Sequence, residues 1–180
     1  MHPSPEKLIA AAVPVSAGSR IRVLAPVDMV LHSATHLFHD GEWDHGLRDL
    51  VDIDGLLRHF GRDEQFWRGL VPRAVELELE RPLFYALRYA KLILDTPVPA
   101  AVAKAARESP GGRPPSLLRP LMDALFLRAL RPAHRSAQDA LTPLARWLLY
   151  MRAHWLRMPP HLLIYHLTRK ALKKPKPAAE

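Results

Sequence analysis

"PVDMVLHSATHLFHDGEWDHGLRDLVDIDGLLRHF", residues 26–60, holds two amphipathic repeats and the densest group of histidines and carboxylates in the chain. At about 100° per residue, Val27, Val30, Leu31, Ala34, Leu37 and Phe38 share one face, which predicts a helix from Pro26 to about His39. Pro26 suits the first turn, where a missing N–H leaves no hydrogen bond unmade. "DGEWDHG" (40–46) reads as a loop. Leu47, Leu50, Ile53, Leu57 and Phe60 then share a second face, and Gly61 is expected to end that helix. Two apolar stripes joined by a short loop can bury each other only as packed helices, so the fold class is mainly α.

The flanking sequence extends the pattern. Ser4-Pro5-Glu6 opens a short helix to about Ala12. In "VPVSAGSRIRVLAP" (13–26) the alternation around Ile21 and Val23 predicts one or two short strands. A two-stranded hairpin is marginal alone, so this piece is expected to belong to a larger sheet. Asp63 caps a third helix through about Glu80, bent at Pro72. Pro82 opens a fourth, ended by "TPVP", and Ala100–Arg107 forms a fifth. "SPGGRPPS" (109–116) has linker composition. Helices follow over Leu117–Leu130, about Ala137–Leu156 and "PPHLLIYHLTRKALKK" (159–174). The expected architecture is a bundle of about seven or eight helices with a small N-terminal β element. Residues 1–108 form the helical domain, with the β element near 13–24; 109–116 link it to a basic helical extension, 117–180.

Composition agrees. The chain has 180 residues, 48% apolar, with only 8 glycines and 18 prolines. It has no cysteine, which removes disulfides, thiolate zinc sites and thiol catalysis. No stretch approaches the roughly 20 apolar residues of a spanning helix, and the N-terminus lacks the pattern of a signal peptide. A cytoplasmic location is expected. The net charge of +8 is uneven: residues 113–180 carry 13 Lys and Arg against 3 Asp and Glu. Such a segment implies an anionic partner.

His32, His36 and His39 stand at i, i+4 and i+7, on a stripe roughly opposite the apolar face. As metal ligands they would need further donors, such as Asp44 or His45 from the loop. The zinc-protease pattern requires Glu directly after the first His, and Ser33 stands there. A polar helix face is the simpler reading. On the next helix, Asp49, Asp52 and Asp54 could bind Mg²⁺, but Arg48 and Asp52 at i, i+4 fit an ordinary ion pair. "AGS" (17–19) is followed by no Asp-x-Asp, and no nucleotide loop or nucleophile elbow occurs.

"IRVLAPVDMVLHSATHLFHDGEWDHGLRDLVDIDGLLRHF" (21–60), its continuation to Pro99, and "YMRAHWLRMPPHLLIYHLTRKALKK" (150–174) resemble the C-terminal helical half of a bacterial family of uncharacterised nucleotidyltransferases. The resemblance runs from about Pro5 to Lys174; its most specific elements are His36, the Asp52-Ile53 pair and "LDTPVP" (94–99). It implies that a complete member transfers a nucleotidyl group from an NTP with Mg²⁺. The family core holds these with a Gly-Ser turn, an Asp-x-Asp pair and a third carboxylate on a following strand. None of these matches here, so the chain is expected to lack catalytic residues and cofactors of its own, as a truncated copy, a mis-set start or a subunit completed by a separate core. His36 would then lie at the junction with that core, lining a cleft or hydrogen-bonding across it.

The basic end offers a different class of function. Trp147, Tyr150, Trp155 and Tyr165 alternate with Arg146, Arg152, Arg157, Arg169, Lys170, Lys173 and Lys174. Aromatic rings beside cations suit an anionic membrane surface contacted through 146–174. This would make the chain a helical adaptor, peripheral to the inner face of the membrane. An acidic protein and a nucleic acid are the less expected partners. Ordinary packing would instead bury the aromatics and leave the cations solvated.

Overall fold

The two apolar stripes of residues 26–60 do pack as helices, and a third helix covers both. The computed structural model describes residues 5–43 and 45–157. Among the described residues there are eight helices: α1 (Pro5–Ala11), α2 (Pro26–His39), α3 (Gly46–Phe60), α4 (Glu64–Glu76), α5 (Glu80–Leu94), α6 (Ala100–Glu108), α7 (Arg119–Ala129) and α8 (Thr142–Arg157). Between α1 and α2 lie β1 (Val13–Pro14) and β2 (Arg22–Val23), antiparallel, with Val13 opposite Val23 and Pro14 opposite Arg22. The protein is mainly α. The expected helix over 159–174 lies outside the described residues.

α5 is the hub, packing against α2, α3, α4 and α6. It can do so because its apolar residues surround most of its circumference: Leu83, Tyr85, Leu87, Tyr89 and Ala90 are all buried. α2 supplies Val30, Leu31, Ala34, Leu37 and Phe38, and α3 supplies Leu50, Ile53 and Leu57, the faces expected from the spacing. α7 and α8 pair with each other, and Phe126, Ala129, Leu130 and Leu149 join the same core. Phe126 sits 5.4 Å from Phe38, 4.7 Å from Tyr85 and 5.2 Å from Tyr89, ring centre to ring centre. Each such ring pair adds about 0.5–1.5 kcal/mol to area burial.

Several boundaries differ from the sequence expectation for local physical reasons. α4 ends at Glu76, short of Glu80, because Glu78 takes a left-handed conformation (φ 57°). Leu79 N–H then bonds Ala74 O at 2.7 Å and Glu78 N–H bonds Val75 O at 3.1 Å, the two bonds of a Schellman cap, with Leu79 buried beneath. Gly61 does end α3, but at φ −69° and not as a left-handed cap. It is small because Trp67 lies over it: a Cβ there would fall 2.6 Å from the indole, whose N–H donates to Gly61 O at 2.8 Å. α8 starts at Thr142, later than expected. Asp139 closes the preceding turn, accepting from the Thr142 hydroxyl at 2.9 Å and Leu141 N–H at 3.1 Å.

One ion pair ties the first helices together. Asp28 on α2 is fully buried and accepts two bonds from Arg73 of α4, 2.8 and 2.9 Å. The same guanidinium reaches Glu76 at 2.8 Å and Lys7 O on α1 at 3.0 Å. The Asp28 bond holds the Arg73 guanidinium above its ordinary range against the opposing effect of burial. Removing one partner of such a pair strands the other charge, so Arg73→Ala is expected to destabilise the fold by about 3–5 kcal/mol in urea unfolding. A second prediction concerns alkaline pH. Burial raises the Tyr85 and Tyr89 phenols above the ordinary value of 10.0. The unfolded chain therefore loses those protons first, so stability is full below about pH 10 and falls above it. Tyr89→Phe should flatten that fall, measured as Tm against pH.

Candidate functional site

The histidine stripe lies where the spacing put it, away from the core. His32 and His36 are exposed and His39 is half-buried. His36 Nδ1 stands 2.6 Å from Asp40 Oδ2, one turn on, which ties it to its own helix. His45 is exposed at the start of α3, and Asp44 lies outside the described residues. Among the described residues no three of His, Asp and Glu come together in a way that could hold a metal ion.

The carboxylates of α3 take different roles. Asp52 and Asp54 are two apart, and on a helix that spacing turns them about 200° from each other. Only in a strand would i and i+2 point the same way and converge on Mg²⁺. Asp52 is exposed. Asp54 accepts from Arg58 at 2.8 Å and from the Thr96 hydroxyl at 2.6 Å. The described ion pair on this helix is thus Asp54–Arg58, not the expected Arg48–Asp52. Arg58 also donates to Leu94 O at 3.0 Å and Asp95 O at 3.3 Å, at the end of α5.

That network explains "LDTPVP". Asp95 takes φ 52° and ends α5 in a left-handed turn. Thr96 is buried with its hydroxyl on Asp54, and Val98 is buried beyond it. The segment locks α5 to α3, so its specificity is that of a structural joint. A second joint escaped sequence reasoning. Arg88 grips Asp123 of α7 at 2.8 and 2.6 Å, and Tyr89 O–H donates to the same carboxylate at 2.9 Å. Burial opposes ionisation of Asp123, yet its arginine and tyrosine partners hold it below the usual carboxylate range. No local signal pairs residues 34 apart; only packing α5 against α7 does so.

α8 buries Ala145, Leu149 and Ala153, but its tryptophans and two of its arginines depart from the expected division of buried aromatics and solvated cations. Arg146 turns inward, donating to Ala129 O and Arg131 O at 3.3 and 3.0 Å. Arg152 lies over the Tyr85 ring, 5.7 Å from its centre. Leu144, Trp147, Leu148 and Trp155 face outward. Tyr165, Arg169, Lys170, Lys173 and Lys174 lie outside the described residues, as does the side chain of Arg157. No described helix is long and apolar enough to cross a membrane.

A mainly helical chain with these joints, with His36 on α2, Asp52 on α3 and "LDTPVP" closing α5, carries the pattern of a known family. The model of the family described as "uncharacterised nucleotidyltransferase" matches residues 1–95, just over half of the chain, and the protein belongs to that family. No curated protein and no solved structure matches it. If the α3 carboxylates are divided as described, Asp54→Ala should destabilise the fold by about 2 kcal/mol, by leaving the buried Thr96 hydroxyl without its acceptor and Arg58 without its counter-charge. Asp52→Ala should change it by less than about 0.5 kcal/mol in the same urea titration.

Proposed function

We propose that this chain is the helical half of a nucleotidyltransferase-like protein and becomes catalytic only together with a core carrying the metal-binding carboxylates. The observation that carries this reading is the β1–β2 hairpin, which lies inside the family-matched region with Val13, Val15, Ile21 and Val23 all exposed. Two strands of two residues expose apolar side chains and unpaired edges, a combination that favours docking to another sheet. Arg22 helps to present the hairpin, with its guanidinium on Ala12 O.

Nucleotidyl transfer needs carboxylates that converge on Mg²⁺ beside the nucleotide phosphates. Asp52 and Asp54 diverge and Asp54 is engaged by Arg58, so these residues do not fit the metal, and no step through it is assigned to them. Mg²⁺ and NTP would belong to the core. His36, exposed on α2, would hydrogen-bond across the junction.

A second reading has its own support in the outward Leu144, Trp147, Leu148 and Trp155 of α8. They fit a helix lying on a membrane surface and would make the chain an adaptor. Two measurements separate the readings. The first is the mass of the native species in its host, detected with an antibody to this chain. A species heavier than 20.4 kDa, or a tightly held subunit bearing a Gly-Ser turn and a strand Asp-x-Asp, is expected. A lone 20.4 kDa chain would overturn the first reading. The second is co-sedimentation with phosphatidylserine vesicles: binding that fades with salt and is lost in Trp147→Ala/Trp155→Ala would favour the adaptor.

A further inference from the structure

Buried or half-buried guanidiniums need a counter-charge, because removing a cation from water without one is expensive. Arg58, Arg73 and Arg88 have theirs in Asp54, Asp28 and Asp123. Arg81 and Arg152 form no ion pair among the described residues, although both act on the same phenol, Tyr85. Burial pushes the Arg152 guanidinium below its ordinary value; Tyr85 favours its charge and Arg81 opposes it. Two cations of like sign are thus held near one hydroxyl.

Arg81 leads outward from that pair. Its Nε donates to Gly111 O at 2.7 Å, and its side chain lines a cleft of about 640 Å³ between the start of α5, the end of α6 and the segment 109–116. Arg107, Arg113, Ser109 and Ser116 line the same cleft, with Glu108 as its one carboxylate. Glu108 is a weak partner, 3.7 Å from Arg107 with both side chains about half exposed. Glu80 packs against Gly111, outside the lining.

The wall formed by residues 109–115, which Arg81 contacts at Gly111 O, is held in place. Gly112 sits so close to α6 that a Cβ would fall 2.0 Å from Ala106 O; its N–H donates to Ser109 O at 3.0 Å. Ser109 O–H donates to Ala106 O at 2.9 Å, and Pro110, Pro114 and Pro115 restrict the rest. A rigid wall bearing excess guanidinium is a surface organised before its ligand arrives. Arg107 also lines a neighbouring groove of about 540 Å³ between α5 and α6, with Phe84, Leu87 and Ala103 as its apolar floor and Lys91 and Lys104 at its edges.

We propose that the cleft binds a phosphate-bearing small molecule, with Arg81, Arg107 and Arg113 on the phosphate oxygens and the organic body along the α5–α6 groove. Guanidinium groups recognise phosphate through paired, charge-assisted hydrogen bonds. The volume lies within the range of small-molecule sites. The site does not depend on the nucleotidyltransferase reading, since it needs neither a catalytic core nor Mg²⁺.

The test is calorimetric titration of the full chain with pyrophosphate and with ATP, without Mg²⁺. Saturable one-to-one binding is expected, weakened by salt and by about tenfold or more in Arg107→Ala/Arg113→Ala. Those two side chains are exposed, so Tm and helical content should not change. Arg48→Ala/Arg62→Ala, equal in charge but distant in sequence, is the control for general surface attraction. ATP binding more tightly than pyrophosphate would place the organic body in the groove. No saturable binding, equal binding by the double variant and wild type, or equal weakening in the control would overturn the proposal.

Discussion

Phe126 against Phe38, Tyr85 and Tyr89 is the contact on which the rest of the molecule depends. It joins helices far apart in sequence and brings α7, beyond the family-matched residues, into the core built by α2 and α5. Burying one phenylalanine fully is worth about 1.5–3 kcal/mol, and the ring pairs add to that. The polar consequences follow from register. Asp123 stands three residues before Phe126, on the same side of α7, so seating the ring delivers the carboxylate to Arg88 and Tyr89. The position of Arg152, over the rings of Tyr85 and Phe126, depends on the same cluster. Gly41 matters for a related reason: at φ 79° it lies where a Cβ would meet Ala153 at 2.6 Å, so the loop after α2 lets α8 approach.

The buried and partly buried acids of this protein serve its architecture. Asp28, Asp54 and Asp123 each take an arginine from another turn or another helix, and each of those arginines joins elements that apolar contact alone would leave free to slide. An acid committed to a guanidinium and a hydroxyl is a poor metal ligand, since binding the metal would strand the arginine. The same economy leaves arginines such as Arg81, Arg113 and Arg152 without carboxylates among the described residues. The excess of positive charge beyond residue 112 is therefore partly built into the fold and not confined to a solvated tail.

How much of this was legible depended on the range of the interaction. The stripes of α2 and α3 could be read because one helix face needs only its own spacing. The hairpin could be read because Ile21 and Val23 alternate. The end of α4 could not: nothing in "VELELERP" marks Glu78 as left-handed, and only the burial of Leu79 compels it. Asp28 lies off the apolar stripe of α2 and would pass for a surface acid; its partner Arg73 comes from 45 residues away. In the candidate site, the outward direction of His32 and His36 was readable from angle alone. The division of the α3 aspartates was not readable, because Asp54 is engaged by Thr96 from 42 residues away.

The two surfaces that remain differ in chemistry, and that difference constrains any functional account. The hairpin is apolar and lies within residues 13–23, so it suits a protein surface. The cleft at Arg81, Arg107 and Arg113 is polar, rigid on one side and cationic, so it suits a small anion. They also differ in construction. Arg22 closes the hairpin locally onto Ala12 O, just past α1, whereas one wall of the cleft is α5, the most buried of the described helices.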